Sequence, residues 1–249
     1  MQFVSEEVAA QVVSVADAIE AIDAMFREYG QGLAEVFPVV QGHGPDPGTS
    51  FSIKSGLIQG SRKVGLKVGS YWPDNRAQGL KAHASTTLLL DPETGFPKAL
   101  VSASHLTSLR TAASDAVAVR LLARTDSRTL ALLGAGHQAW FELLAIREVR
   151  PIDRVLVANR STLAGEAFAR RIRAELDLPA EAVPVREAVS AADIIATVTA
   201  AREPLFRAEW VRPGTHVSAM GADQVGKQEL DSNLTASASL FADVVQQSV

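Results

Sequence analysis

The stretch that most constrains the fold of this chain is LALLGAGHQAW at residues 130–140, where an apolar strand leads into two glycines and a helix. In this G-x-G-x-x-A arrangement, Gly134 permits a tight turn and Gly136 lets the backbone approach a pyrophosphate. Ala139 allows the helix to pack closely on the strand, and the helix start offers free N–H groups to phosphates. An ordinary tight turn is the alternative. The strand before and the helix after favour a dinucleotide site, with His137 and Gln138 as further contacts.

Around this loop, short apolar strands alternate with helices. We predict strands at 129–133, 154–159, 183–185, 193–199 and 215–221, and helices at 137–148 and 162–176, with a short helix before residue 193. This alternation is typical of a parallel sheet with helices on its faces. The predicted fold class of this half is therefore α/β, with a Rossmann-like, doubly wound parallel sheet.

The second strand of this half bears on the choice of coenzyme. It ends in Asn159-Arg160-Ser161, where an NAD-selective site usually carries an acidic residue for the ribose hydroxyls. Arg160 and Ser161 can instead hold a 2′-phosphate, so the pattern favours NADP over NAD. Stacking of Arg160 on the adenine is the alternative. Thr197 and Thr199, at the end of a later strand, are either coenzyme contacts or solvated hydroxyls.

The N-terminal half has a different pattern. A helix is predicted over 14–30, with Ser14 and Asp17 as a capping box. Short turns, such as the one from Asp91 to Gly95, separate the strands predicted at 50–58, 63–70, 83–91 and 97–103. Their succession predicts an antiparallel sheet in an α+β unit. An alanine-rich helix over 107–124 joins the two halves.

Composition narrows the classes of function. The 249 residues carry a formal net charge of −4, which argues against a nucleic-acid-binding surface. The absence of cysteine excludes disulfides, thiolate zinc sites and a cysteine nucleophile. The five histidines lack the spacing of metal ligands, so we predict no metal site. With no secretory signal and no membrane-length apolar run, we expect a cytoplasmic protein without membrane partners.

Six motifs, taken in order, resemble the ornithine cyclodeaminase/mu-crystallin family. They are KSG (54–56), GLKVGSYWPDN (65–75), LLLDPETGFPKAL (88–100), LTSLRTAA (106–113), LGAGHQA (133–139) and MGADQVGKQELD (220–231). The resemblance implies an NAD(P)-dependent enzyme that acts on an amino acid or a cyclic imino acid. It also implies a Rossmann domain and an antiparallel substrate domain that makes the contact of a homodimer.

The resemblance assigns three principal site residues. Lys67 matches the family's active-site lysine, which binds a substrate carboxylate or exchanges a proton with the imine. Arg110 matches an arginine whose fork suits the substrate carboxylate. Asp223 matches an acidic residue that binds the substrate amine or acts as a base. The structural alternatives are a solubility lysine, an ion pair of Arg110 with Asp115, and a turn aspartate.

Further assignments concern the rest of the site. Lys54 is a candidate second carboxylate ligand, because its segment matches a KSG variant within the family. Residues 37–48 lack the early arginine that many family members carry, and Lys54 is a candidate substitute for it, although a lysine lacks the bidentate fork of an arginine. Thr86 is a candidate substrate contact with a plain strand threonine as its alternative, and Thr111 is a candidate coenzyme contact. Family chains continue well past the Lys-x-Glu-Leu-Asp motif. We therefore predict domains at 1–118 for substrate and dimerisation, 119–225 for the dinucleotide, and 226–249 as an incomplete return segment.

The leading hypothesis is hydride transfer at the Cα of an amino or imino acid. Conversion of ornithine to proline and ammonia is the leading example, with Asp223 orienting the distal amine. A ketimine or pyrroline-2-carboxylate reductase and an amino-acid dehydrogenase are alternatives within the same family. A non-catalytic NADP-binding protein, or a half-enzyme that needs a partner chain, is the alternative of another class.

Overall fold

A computed structural model describes residues 1–222 and 225–243, apart from the side chain of Arg76. The polypeptide divides into two compact units, Met1–Arg110 and Thr111–Val249. The division lies within a helix, eight residues before the domain boundary expected after residue 118, and the described part of the expected return segment belongs to the second unit. The helix that carries the division contributes Val119 to the core of the second unit. No helix in the described ranges has the length and apolar character needed to cross a membrane.

The first unit is built on an antiparallel sheet. Its helices are α1 (Glu6–Val12) and α2 (Val15–Gly30), and its strands are β1 (Gln2–Val4), β2 (Ala34–Val36), β3 (Val40–His43), β4 (Ser50–Ile58), β5 (Lys63–Tyr71), β6 (His83–Leu90) and β7 (Pro97–Ser102). A 3₁₀ helix, Pro73–Gln78, follows β5. The strand order is β1-β7-β6-β5-β4-β2, with β3 also on β4. All pairs are antiparallel except β1 with β7, so the predicted antiparallel sheet is confirmed.

Local side-chain chemistry fixes where these elements begin and turn. At the start of α2, Ser14 Oγ accepts a hydrogen bond from the Asp17 N–H at 3.1 Å, and Asp17 Oδ2 accepts one from the Ser14 N–H at 3.0 Å. This is the predicted capping box. After β6, Asp91 Oδ1 accepts from the N–H groups of Glu93 and Thr94, both at 3.0 Å. The turn between β6 and β7 therefore forms where the sequence predicts it.

The second unit is built on a parallel sheet. Helix α3 (Ser104–Leu122) leads into it, followed by β8 (Thr129–Leu133), α4 (His137–Val149), β9 (Arg154–Ala158), α5 (Thr162–Leu176), β10 (Ala180–Ala182), α6 (Val185–Ala191), β11 (Ile194–Thr197), a 3₁₀ helix (Ala208–Trp210), β12 (His216–Ala219) and α7 (Ser232–Ser237). The strand order is β10-β9-β8-β11-β12, and all pairs are parallel. This is the doubly wound order, in which the direction of winding reverses between the first and fourth strands, so the predicted fold class is confirmed.

Side chains from the two faces of this parallel sheet form two separate cores. Leu130 and Leu132 of β8 pack on one side with Val119 and Leu143. Ala131 and Leu133, which alternate with them, pack on the other side with residues of α6 and β12. A strand that is buried on both faces consists of consecutive apolar residues. Such runs can be recognised in the sequence, so these strands were predicted.

The sequence was less informative about short elements. The strand predicted at 183–185 is wrong, because β10 occupies Ala180–Ala182 and Pro184 precedes the first turn of α6. Strands β1, β2 and β3 and helix α1 were not predicted. Each spans seven residues or fewer, too few for a clear periodic pattern. Strand β3 also includes Gly42 and His43.

Candidate active-site residues in the two units

The glycine loop follows β8 as the sequence predicts. Gly134 has a φ of 118°, and a Cβ on this residue would lie 2.8 Å from the carbonyl oxygen of Val198. The Gly134 N–H donates to the Ala158 carbonyl at 2.9 Å, which holds the loop at the carboxyl ends of neighbouring strands. A side chain at this position would strain the backbone and collide with β11's continuation, so glycine is required here.

The next part of the loop is suited to bind an anion. Gly136 is the N-cap of α4 and makes no side-chain cap hydrogen bond, and the space around its Cβ position is open to 4 Å. Ala139 is fully buried, so α4 packs closely on the sheet, and the His137 ring packs on Phe141 with centroids 5.0 Å apart. An open glycine at an uncapped helix N-terminus leaves amide donors for a phosphate. These residues therefore fit the pyrophosphate of a dinucleotide.

Three residues at the end of β9 were predicted to contact the coenzyme, and two of them make hydrogen bonds within the protein. Asn159 Nδ2 donates to the Ser161 carbonyl at 3.0 Å. Ser161 is the N-cap of α5, and its Oγ accepts from the Ala164 N–H at 3.3 Å. Arg160 lies between them and is exposed. Arg160 therefore presents the positive charge of this turn to solvent.

Thr197 and Thr199 have a partner that the sequence analysis missed. The buried carboxylate of Glu229 accepts from Thr199 N–H at 2.7 Å and Thr199 Oγ1 at 2.6 Å, and its other oxygen accepts from Thr197 Oγ1 and Gly221 N–H, both at 2.8 Å. Glu229 therefore ties the ends of β11 and β12 together. Thr197 is fully buried and Thr199 is partly exposed, and the hydroxyls of both are engaged by Glu229. The KQEL motif contained this residue, but nothing in the sequence paired it with the threonines.

Gln138 also makes a structural contact. Its Nε2 donates to Glu142 Oε1 at 2.8 Å, one turn further along α4. Glu142 is fully buried and hydrogen-bonds the buried carboxyl of Asp115 on α3, which accepts a further bond from Ser218 Oγ. Burial raises the pKa of Asp115 to about 6, against the opposing effect of the bonds from Ser218 and Glu142. Two buried carboxyls in contact favour sharing one proton.

Asp223 lies outside the residues that the structure describes. Among the described residues, the Gly221 N–H donates to Glu229 Oε2 at 2.8 Å and the Gln228 N–H donates to the Ala201 carbonyl at 2.9 Å. Thr111, the remaining predicted coenzyme contact, is partly buried on α3. Its assignment and that of Asp223 stay predictions.

In the first unit, the sheet register brings two predicted residues together. Lys54 on β4 is directly opposite Lys67 on β5, and Lys67 is directly opposite Thr87 on β6. Opposed residues in an antiparallel pair point to the same face. Thr86 is opposite Val68 instead, so it points to the other face of the sheet and is exposed. The structure therefore separates Thr86 from the lysines and places Thr87, which the sequence analysis did not single out, beside Lys67.

Lys67 is half-buried in a strongly positive environment. Burial, together with the charges of Arg110 and Lys54, lowers the pKa of Lys67 to about 8. A cavity of about 660 Å³ lies over this face of the sheet. Lys67, Thr87 and Arg110 line it beside apolar side chains from α2 and from the start of α3, including Ile22, Met25 and Leu106.

The start of α3 is anchored to the same face, which fixes the position of Arg110. Thr107 Oγ1 donates to Ser85 Oγ at 2.9 Å, and Ser104 Oγ accepts from the Ser85 N–H at 3.2 Å. Ser85 lies on β6 two residues before Thr87 and is buried. These bonds hold the first turn of α3 against β6, so Arg110 enters the cavity from the second turn. Long-range register of this kind has no signal in the sequence.

A family profile and individual relatives match almost the whole chain. The profile described as "Ornithine cyclodeaminase/mu-crystallin family" matches residues 2–248. The iminosuccinate reductase of Paracoccus denitrificans (strain Pd 1222) is 39% identical over 254 aligned residues, which cover 100% of this chain and 78% of that protein.

Solved structures with the same fold contain nicotinamide coenzymes. The Paracoccus denitrificans iminosuccinate reductase in complex with NAD⁺ matches with a TM-score of 0.94 and 38% identity, over 100% of this chain and 77% of that one. An archaeal alanine dehydrogenase dimer with bound NAD has a TM-score of 0.93 and 33% identity, over 100% and 76% of the two chains. The Thermococcus litoralis Δ¹-pyrroline-2-carboxylate reductase with NADH and L-proline has a TM-score of 0.88 and 32% identity, over 94% and 73%.

Proposed function

The chain belongs to the ornithine cyclodeaminase/mu-crystallin family, and on that premise we propose that it reduces the imine of a 2-oxo acid to a 2-amino acid with NAD(P)H. The three relatives described above are named for reactions of iminosuccinate, alanine and Δ¹-pyrroline-2-carboxylate. Their substrates or products share a carboxylate next to the carbon that bears nitrogen. The observation that carries the proposal is the half-buried Lys67 beside Arg110 in a cavity of the first unit.

Lys67 and Arg110 suit the two tasks of such a site. The guanidinium of Arg110 can bind the carboxylate through two parallel hydrogen bonds. Because its pKa is about 8, the Lys67 ammonium is mostly protonated at neutral pH but can give up a proton at small cost. Reduction of the imine adds a hydride to carbon and a proton to nitrogen, so a poised proton donor beside the carboxylate supports this chemistry.

In the second unit, the loop from Gly134 to His137 would hold the coenzyme pyrophosphate on the N-terminus of α4. When bound, the reduced nicotinamide supplies the hydride. Arg160 supports a preference for NADP, because its exposed guanidinium stands where an NAD-selective site carries a carboxylate. Replacement of Arg160 by Ala should weaken NADPH binding about tenfold and leave NADH binding nearly unchanged, as measured by fluorescence titration. Equal losses for both coenzymes would favour adenine stacking.

The reaction can be tested by following NADH and NADPH absorbance with pyruvate plus ammonium and with preformed Δ¹-pyrroline-2-carboxylate. We expect turnover by the natural chain and loss of at least about a hundredfold in kcat/KM for Lys67→Met, with coenzyme binding retained. Lys98→Met, an exposed lysine on β7, is the matched control. Tight coenzyme binding without turnover of any imine would instead support a non-catalytic binding protein.

Ornithine cyclodeamination is the second candidate, because the GxD motif that contains Asp223 matches the family's pattern. Against it, the charged side chains that line the cavity of the first unit are Lys67 and Arg110, both cations, which repel the distal ammonium of ornithine. Formation of proline from ornithine with a catalytic amount of coenzyme, and no net absorbance change, would support this candidate over the reductase.

A homodimer is the assembly we propose. One face of the first unit's sheet carries half-buried apolar side chains, among them Leu66, Val68 and Leu88, and the archaeal relative is described as a dimer. Apolar sheet faces of this kind favour association with a second copy. Light scattering coupled to size-exclusion chromatography measures the mass directly, and a monomer of 26.4 kDa would contradict the proposal.

A further inference from the structure

Three elements of the first unit surround the cavity that contains Lys67 and Arg110. They are the face of the sheet that carries Lys67, the helix α2, and the beginning of α3. Each of the three contributes large apolar side chains, namely Leu89 and Val101 from the sheet, Ile22 and Met25 from α2, and Leu106 and Leu109 from α3. These side chains offer a ligand van der Waals contact and few hydrogen bonds. Most of the cavity wall therefore suits an apolar group.

Small residues keep this space open. The residues of α2 that line the cavity recur at the spacing of one helix face and are Ala18, Ala21, Ile22 and Met25. Two of these four are alanines, and Gly56 of β4, which also lines the cavity, has no side chain. Protein interiors are close-packed, so larger side chains would fill a space that served folding alone. A volume of about 660 Å³ instead leaves room for a group larger than a methyl.

The charges of the cavity have one sign and lie together. Among the described residues of its lining, the charged ones are Lys67 and Arg110. The charge of Arg110 contributes to the lowered pKa of Lys67, so the two cations are close enough to repel each other. The hydroxyl of Thr107, another lining residue, donates to Ser85 at 2.9 Å. The cavity thus combines one region for an anion with an apolar remainder.

We propose that this cavity receives an aliphatic side chain and selects 2-imino acids whose side chain is the size of a butyl or isobutyl group. Lys67 and Arg110 hold the carboxylate, and the side chain extends between α2 and the sheet. Reduction adds a hydride from NAD(P)H to the imine carbon and a proton to its nitrogen, and leaves the side chain unchanged. A charged side chain would lose its hydration among the apolar walls, which disfavours it. This inference rests on the proposed reductase function.

The test measures kcat/KM with ammonium and a series of 2-oxo acids that differ by one methylene: pyruvate, 2-oxobutanoate, 2-oxopentanoate and 2-oxohexanoate. Burial of each methylene should raise kcat/KM about threefold to fourfold, so 2-oxohexanoate should exceed pyruvate by about thirtyfold or more. A flat or falling series overturns the inference. A higher kcat/KM for oxaloacetate than for 2-oxohexanoate also overturns it, because the preferred side chain would then carry a charge.

Substitution of Ala21 tests whether this cavity makes the selection. Ala21 lines the cavity from an exposed position on α2, so Ala21→Phe should fold and fill part of the space. The ratio of kcat/KM for 2-oxohexanoate to that for pyruvate should fall about tenfold in this variant. Ala24→Phe is the matched control, because Ala24 is exposed on the same helix and is not among the described residues of the lining. An unchanged ratio in Ala21→Phe overturns the inference.

A binding measurement keeps the inference independent of turnover. Titration calorimetry compares acetate with hexanoate, which carry the carboxylate and the aliphatic chain but cannot react. Hexanoate should bind at least about tenfold more tightly than acetate, and Ala21→Phe should reduce this difference. If no imine is reduced, the reductase function fails, whereas a preference for hexanoate that Ala21→Phe reduces still supports the inference. Equal binding of the two acids, or a preference that Ala21→Phe leaves unchanged, overturns it.

Discussion

The two sheets of this protein position functional groups in different ways. In the second unit, β8 is buried on both faces, and the groups suited to a ligand are backbone amides in the loop that follows it. In the first unit, β4, β5 and β6 are partly exposed, and the groups suited to a ligand are side chains on one face of the sheet. The first arrangement depends on a local motif, whereas the second depends on the register of strands far apart in the sequence. Substitutions should therefore have different consequences in the two units.

The largest effect is expected at the backbone site. Gly136→Asp places a carboxylate in the open space beside the helix N-terminus, where it repels a phosphate without disturbing packing. NADH affinity should fall by about a thousandfold, measured by fluorescence titration, while the thermal midpoint without coenzyme changes little. Gly136→Ala, the matched control, should bind far better than the aspartate variant. Unchanged affinity in Gly136→Asp would show that this loop does not bind the coenzyme.

Substitution of Glu229 tests whether this buried carboxylate stabilises the fold of the second unit or contributes to binding of the coenzyme. Glu229→Ala removes the acceptor for two N–H groups and two hydroxyls, and should lower the free energy of unfolding by about 3 kcal/mol. Glu229→Gln keeps one acceptor oxygen and should lose less. Urea denaturation measures both. A stable Glu229→Ala variant that loses only coenzyme affinity would contradict a structural role.

The Asp115–Glu142 pair predicts an unusual pH dependence of stability. The pKa of Asp115 is raised to about 6, so the folded chain keeps a proton that the unfolded chain loses near its ordinary value of 3.8. The natural chain should therefore lose stability as pH rises from about 4 to about 6, by roughly 3 kcal/mol. Asp115→Asn should remove this loss and be more stable at neutral pH. Asp153→Asn, an exposed control, should leave the pH profile unchanged in urea denaturation.

The smallest expected effect concerns the charge on Lys67. Because the protonated form binds a carboxylate, kcat/KM for a preformed cyclic imine should fall as pH rises through about 8. Lys67→Arg keeps its charge, so the fall should move upward by at least about one pH unit. A cyclic imine avoids the titration of ammonium. An identical pH profile for the arginine variant would remove Lys67 from this role.

Much of the fold was predictable because it rests on neighbours in sequence. The glycine loop, the capping box of Ser14 and Asp17, and the turn at Asp91 each depend on residues within a few positions. The position of β10 was predicted wrongly because only three residues form this strand. Pro184, which follows it, is the N-cap of α6. Short edge strands carry too little pattern to be recognised.

The candidate site was only partly predictable. Lys54, Lys67 and Arg110 were identified by a family resemblance, but the choice between Thr86 and Thr87 depends on register, since a shift of one residue reverses the face. The acceptor of Thr197 and Thr199 was not foreseen, because Glu229 lies thirty residues beyond Thr199. Nothing in the local pattern marks such a partner.

The sequence by itself determined the type of each sheet and the loop that suits a dinucleotide, because hydrophobic periodicity and glycine spacing act over short distances. Tertiary structure alone decided that two lysines share a row, that Glu229 holds two strand ends, and that Asp115 meets Glu142. The physical reason is that burial and like-charge proximity arise only when distant segments pack together. Burial and like-charge proximity together lower the pKa of Lys67, and burial raises that of Asp115.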